Sequence, residues 1–364
     1  MEKEYLSVDA GVVVDGKIYT VDNDTGFFVC IDSDNGKMSL IADLQPESVK
    51  HWWVEKILYY DGWFYLISRN STELVRVNRK GIIETCIPGE NYNDNNLFIS
   101  TGAVIIKDVI YILPGTLGGD IVCYNIISGR VEKRTPLKEI IENEIEVYNG
   151  YIIYDYYFDK NTFEVFFAIT DTNLLLKMAL ETFSYEVYQC DRETRFTSIT
   201  NGIGDILIGE MNFDSIWRLD RDALTFYRYG GHSRKNGYVF GIGLNDSIAR
   251  LDDESGEISI YSREGDLEER IRIPQQSNLI YEIRKYNGRF SRMVETEDTV
   301  FMLPFSTNGV VSIDRKSRKM KFLSTVFPKK WLDYKRLRRN VRLYRETVDT
   351  DLDRFLGSLT MKAR

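Results

Sequence analysis

Over most of the chain, hydrophobic positions come in short runs separated by polar turns. GVVVDGKIYTV is two apolar stretches around Asp15-Gly16, and ILYYDGWFYLIS and AVIIKDVIYILP repeat that arrangement. Runs this short, rich in Tyr, Ile and Val, predict β-hairpins and not helices. Most such pairs precede a second pattern, in which an apolar strand meets a polar residue that opens a turn and a further strand follows. Its seven copies are VCIDSDNGKMSLI, VRVNRKGIIETCI, VCYNIISGRVEKR, LKMALETFSYEVY, IWRLDRDALTFYRY, ISIYSREGDLEER and VVSIDRKSRKMKFL. The turns open at Asp32, Asn78, Asn125, Ala179, Asp220, Ser262 and Asp314, at intervals of 41 to 54 residues. Asp and Asn suit that position because their side-chain oxygens accept hydrogen bonds from turn amides, and a following Gly supplies positive φ.

One hairpin followed by the other makes a unit of four short antiparallel strands. Repetition of such a unit every ~40–50 residues is the signature of a propeller blade. The expected fold is all-β: a seven-bladed β-propeller of four-stranded antiparallel blades over residues 1–328, with a C-terminal helical tail over 329–364. LDDESGEISIY could serve as the sixth turn, but ISIYSREGDLEER keeps the spacing even. A β-sandwich or a pair of barrels is the rival, and neither requires seven evenly spaced copies. Before the tail, helical periodicity is confined to LKEIIENEIEVY, residues 137–148. Because a blade is not stable alone, loss of a blade should unfold the ring, whereas truncation from Lys329 onward should be tolerated.

Composition agrees with stacked sheets. Aromatic residues make up 13% of the chain, with 23 Tyr and 19 Phe, side chains that favour strands and fill wide gaps between sheets. Lys and Arg total 47 against 55 Asp and Glu, a net charge of −8, which argues against nucleic acid as a partner. Cys30, Cys86, Cys123 and Cys190 sit in apolar runs and have no zinc-ligand spacing. They are expected as core thiols, with no metal and no cofactor. The N-terminus lacks a signal-like apolar region, and no run is long enough to span a bilayer, so the expected location is cytoplasmic.

The repeat GDILIGEMNFDSIWRLDRDALTFYRY resembles those of streptogramin-lyase-like propellers, and equally those of YVTN and kelch-like bacterial propellers, over residues 9–325. The resemblance implies an architecture that hosts lyases, hydrolases, sensors and binding scaffolds alike. In the lyase family it further implies a histidine acting with acidic residues and a divalent metal on one face. This chain has two histidines, His51 and His232, and neither lies in a matching motif.

In a four-stranded blade, the loop between the second and third strands and the loop to the next blade share one face, where ligands usually enter. Candidate ligand-binding residues on that face are Trp52, Trp53, Arg69, Asn70, Tyr92, Asn93, Asn212, Arg234 and Asn308. Trp52-Trp53 could stack on a sugar, or pack one ring between blades. PGENYNDNN could hold a polar ligand or calcium, or be an ordinary solvated loop. PGTLGGD lacks the phosphate-loop pattern and reads as a hairpin tip. His51 and His232 both fall in inter-blade loops, either as acid/base groups or ligands, with Asp94 or Asp214 as orienter or metal ligand, or as solvated or hydrogen-bonded loop residues.

Residues 329–364 carry 11 basic and 5 acidic side chains. Trp331, Tyr334, Leu337, Val341 and Tyr344 are spaced as an apolar helical stripe. Such a tail could dock on the acidic ring, bind a partner protein or dimerise, or lie on an anionic membrane surface. The sequence favours a non-catalytic propeller that presents its loop face to a protein or a small polar, carbohydrate-like ligand. The alternative is a lyase or hydrolase acting on a polar or glycan-like substrate at the same face.

Overall fold

The computed structural model describes residues 6–44, 53–88, 99–141, 153–170, 172–190, 196–201, 205–220, 225–252, 257–273, 290–305, 307–325, 328, 331–333 and 335. These residues form a ring of seven blades, each of four antiparallel strands taken in chain order. The third strands end at Asp32, Asn78, Asn125, Ala179, Asp220, Ser262 and Asp314, the seven turn positions read from the sequence. Their chemistry is as expected where the turn is described. Asp32 Oδ1 accepts from the amides of Asp34 and Asn35 at 3.0 and 3.2 Å, and Asp314 Oδ1 accepts from Ser317 at 2.6 Å. Asp15 and Gly16 both take positive φ, as the two-residue hairpin between the first pair of strands requires.

Blades five and six depart from the expected pattern of strands and loops. Two continuous β segments, Asp205–Asp220 and Thr225–Gly243, run through them. The first supplies the second and third strands of blade five: Leu207 and Ile216 both lie against Gly241, so the segment doubles back on itself. The second supplies the last strand of blade five and the first of blade six. Residues 211–214 and 229–238, expected as loops, continue the β backbone instead, with Met211 paired to Tyr238 and Phe213 to Arg234. Pairing gives these two tips partners for backbone groups that a loop would leave to water. Near residue 137 the helix is the single turn Leu137–Ile140; residues 142–148 lie outside the described residues.

Side chains alternate across each strand, so each sheet buries both faces against its neighbours. Seven apolar clusters result, one at each junction between consecutive blades, including the junction of blade seven with blade one. On the second strand of blade two, Phe64 and Leu66 face blade one while Tyr65 and Ile67 face blade three. Cys30, Cys123 and Cys190 are buried thiols within this packing, and Cys86 is half-buried.

Glycines let the turns on the far face seat closely. Gly36 has φ +73°, and a Cβ there would lie 2.5 Å from the carbonyl oxygen of Ser324 in the outer strand of blade seven. Gly36→Ala should therefore cost about 1–2 kcal/mol from left-handed backbone alone, and more from the clash at the ring seam. A lowered Tm is the expected reading; an unchanged Tm would show that the seam yields at this point.

Both ends of the described chain meet at that seam, on the loop face. Leu6 N–H donates to Thr307 O at 3.1 Å and Val8 N–H to Pro304 O at 3.0 Å, while Asn23 N–H donates to Ser7 O at 2.7 Å. The N-terminal segment thus bonds to blades seven and one without adding a strand to either. Residues 331–333 and 335 are helical; the remainder of the expected tail, 336–364, lies outside the described residues. Trp331 meets Phe27 edge-on at 5.5 Å, and Leu332 joins the apolar cluster of the seam. Lys335 Nζ lies 2.8 Å from both oxygens of Asp22, and both side chains are fully buried. Asp22 also accepts from Ser7 N–H at 3.1 Å and the Thr25 hydroxyl at 2.8 Å.

These contacts run against the expectation that truncation at Lys329 is tolerated. Cutting after residue 328 removes a buried cation and strands its carboxylate, a loss of ~3–5 kcal/mol. Chemical denaturation of the 1–328 chain and of Lys335→Met should both show it. Stability equal to the full chain in both would remove Asp22 from the closure of the ring.

Candidate functional site at the channel mouth

The first strand of every blade contributes to the wall of an axial channel with a cavity volume of about 640 Å³. Hydroxyl groups bond to the inner-strand carbonyls: Thr20 to Ala10 O at 2.5 Å, Tyr156 to Ala103 O at 2.8 Å and Thr200 to Gly241 O at 2.8 Å. Burial pushes the Tyr156 phenol above its ordinary range, and the ammonium of Lys56, 5.4 Å from its ring centre, opposes that shift.

The inner strands share a second feature at their loop-face ends. In blades two, three, four, five and seven, the pairing of first with second strand slips by one residue just after its first pair. A bulge of this kind interrupts the alternation of side chains and re-aims those beside it. Glu55 and Thr101 are bulge residues; Asp155 and Arg292 immediately follow bulges. All four line the cavity.

Together they form a charged cluster across the mouth. The Arg292 guanidinium, from blade seven, donates to Glu55 Oε1 on blade two and lies 3.1 Å from Asp155 Oδ1 on blade four. Arg69, in the loop between the second and third strands of blade two, lies 3.1 Å from Glu55 Oε2. Ile199 N–H of blade five donates to Asp155 Oδ2 at 3.2 Å. Four blades are thereby joined across the axis by two guanidinium groups and two carboxylates. Glu55 is 1% exposed, whereas Asp155 and Arg292 keep 17% and 15% of their surfaces open. Thr101 is buried beside them, and its Oγ1 has no hydrogen-bond partner among the described residues.

Of the residues proposed from sequence, Arg69 belongs to this cluster. Trp53 is half-buried, with Arg69 5.8 Å from one ring centre and Phe305 6.3 Å away. Asn70 is buried and holds the blade entry, its Oδ1 accepting from Trp53 N–H at 3.3 Å and Ser68 Oγ at 2.9 Å. Asn308 is buried in the corresponding loop of blade seven, where its carbonyl accepts from Thr325 N–H and Oγ1. Asn212 and Asp214 lie in Asp205–Asp220, and His232 and Arg234 in Thr225–Gly243; the description there is of backbone alone. His51, Trp52, Tyr92, Asn93 and Asp94 lie outside the described residues. Among the described residues, no three His, Cys, Asp or Glu side chains gather as a metal site, and no helix is long and apolar enough to cross a membrane.

Glu55, Asp155 and Arg292 were not singled out from sequence. The available signal was a charge near the start of an otherwise apolar or aromatic inner strand, as in VEKILYY, IYDYYFD and FSRMVE.

No protein-family profile matches the sequence, and no curated protein matches it. Among solved structures, a streptogramin B lyase superposes with a TM-score of 0.61 at 11% identity, over 88% of this chain and 94% of the lyase. The likeness is one of fold. A structure assigned to the extracellular domain of a hybrid two-component system from B. thetaiotaomicron gives a TM-score of 0.59 at 9% identity, over 88% of this chain and 46% of that one. PorZ, a surface component of the type-IX secretion system of Porphyromonas gingivalis, gives 0.56 at 9% identity, over 89% of this chain and 39% of PorZ. The present chain thus spans less than half of each of the last two. A lyase and surface or extracellular domains share this propeller fold, which therefore leaves function to the individual site.

Arg292→Ala would leave Glu55 and Asp155 without their shared cation. The expected loss is about 3 kcal/mol in urea denaturation, partly recovered when Glu55→Gln is added. Purely additive effects of the two substitutions would show that the groups do not act as a unit.

Proposed function

We propose that this propeller is a non-catalytic binding module that takes a small polar ligand on its loop face, at the mouth of the axial channel. The observation that carries this reading is the bridge from Arg292 to Glu55 and Asp155, set by backbone bulges at the open end of a cavity of about 640 Å³. That volume falls within the range of small-molecule sites, where a few fixed polar groups orient a ligand against a mostly apolar wall. The arrangement speaks for binding over lyase or hydrolase chemistry at this point. Both carboxylates are engaged by guanidinium groups in ion pairs that run between blades, an arrangement suited to holding a ligand in place.

The test is retention. Full-length protein exposed to a fractionated small-molecule extract, desalted and examined by native mass spectrometry should hold a polar species that Arg292→Gln loses. Equal retention by the variant would place the site elsewhere, and no retention by either would end the reading.

A further inference from the structure

We infer that the ligand of this mouth is a neutral polyhydroxylated molecule, a saccharide in chemical class, held by Asp155 and Arg292. This inference rests on the binding reading above. The first argument is charge balance. Two guanidinium groups face two carboxylates at the mouth, Arg69 and Arg292 against Glu55 and Asp155, and the other charged residues of the cavity wall are two of each sign, Lys56 and Lys160 with Asp9 and Glu295. An anionic ligand would meet both carboxylates and a cationic one both guanidiniums. Either would have to open an ion pair and leave a poorly solvated charge behind. A neutral ligand has no such cost.

The second argument is hydrogen-bond type. A carboxylate only accepts and a guanidinium only donates, whereas each hydroxyl of a sugar does both. Asp155 Oδ1 and the Arg292 guanidinium stand 3.1 Å apart, and both side chains, like that of Arg69, are partly open. Neighbouring hydroxyls can donate to one and accept from the other without separating them. Glu55, almost fully buried, fixes Arg292 from behind and acts as a positioning residue.

Two further observations point the same way. Thr101, itself a hydroxyl, is 4% exposed at the cavity wall, and its Oγ1 lacks a partner among the described residues. Tyr59, Tyr156, Tyr157 and Phe158 also line the cavity, providing the apolar surfaces on which the C–H faces of a sugar ring can rest.

The experiment titrates the full chain with an array of neutral gluco-, manno-, galacto- and N-acetylglucosamine-linked di- to tetrasaccharides, beside uronic-acid oligomers and charged dipeptides. Binding is read by calorimetry. The same titrations use Asp155→Asn, which keeps the shape of the side chain, Thr101→Val and Arg292→Gln. Asp246→Asn serves as a control, because Asp246 pairs with Arg318 in the first turn of blade six, on the opposite face. Each preparation is checked by circular dichroism and Tm.

Selective binding of a neutral saccharide is expected. Asp155→Asn and Arg292→Gln should weaken it at least tenfold, Thr101→Val should weaken it less, and the control should leave it unchanged. Binding of charged probes alone, lost in Arg292→Gln, would overturn the saccharide inference and leave the binding reading standing. Saccharide binding unaffected in folded Asp155→Asn and Arg292→Gln would overturn the assignment to the mouth. Binding of neither class would overturn both.

Discussion

A four-stranded blade has two apolar faces and cannot cover either, so its burial must come from the blades on both sides. Phe64 and Leu66 look one way and Tyr65 and Ile67 the other; an isolated blade two would expose all four to water. The apolar clusters at the seven junctions make the fold a closed set of mutual debts, and the junction between blades seven and one has to be as good as the rest. It is also the junction that chain connectivity does not hold. The structure concentrates its least conventional contacts there, with a backbone strap from residues 6–8, a glycine turn against Ser324 and a buried lysine on Asp22. An ion pair removed from water contributes little net stability compared with apolar packing, but it tolerates few alternatives in geometry. At the seam, it fixes where the turn around Lys335 lies against blade one.

Closing the ring creates the channel, and the channel creates a second constraint. The innermost strand of each blade has one edge without a neighbouring strand, so its backbone groups need other partners. Hydroxyls from Tyr156 and Thr200 supply some of them. The bulges of five blades fall at the loop-face end of this edge and turn charged and hydroxyl side chains toward the axis. Ring geometry brings Arg292 within reach of Glu55 and Asp155, although these residues lie far apart in sequence.

The ring itself was legible in the sequence because its signals are local. Asp32, Asn78 and Asp314 mark turns through their own hydrogen bonds, and paired aromatic strands reveal themselves by length and composition. The charged cluster was not legible, because each member looks like an ordinary polar position until the bulge register is known. Residues 211–214 and 229–238 were misread as loops for a related reason. Gly, Asn and Ser favour turns locally, and the pairing of Phe213 with Arg234 comes from two segments meeting in space. Arg69 was found from its place in a loop, but its partner Glu55 depends on the strand beside it.

The channel mouth and the seam use buried charge to different ends. At the seam, Lys335 and Asp22 are wholly closed off, and further donors surround the carboxylate, so nothing is left for a visitor. At the mouth, Glu55 is closed off while Asp155 and Arg292 remain partly open. A bridge needed only to tie blades together gains nothing from partial exposure, since water screens the pair it admits. Fixed from behind and open in front, the mouth has the graded burial of a recognition site, in which a rigid inner residue holds an outer one in position for a ligand.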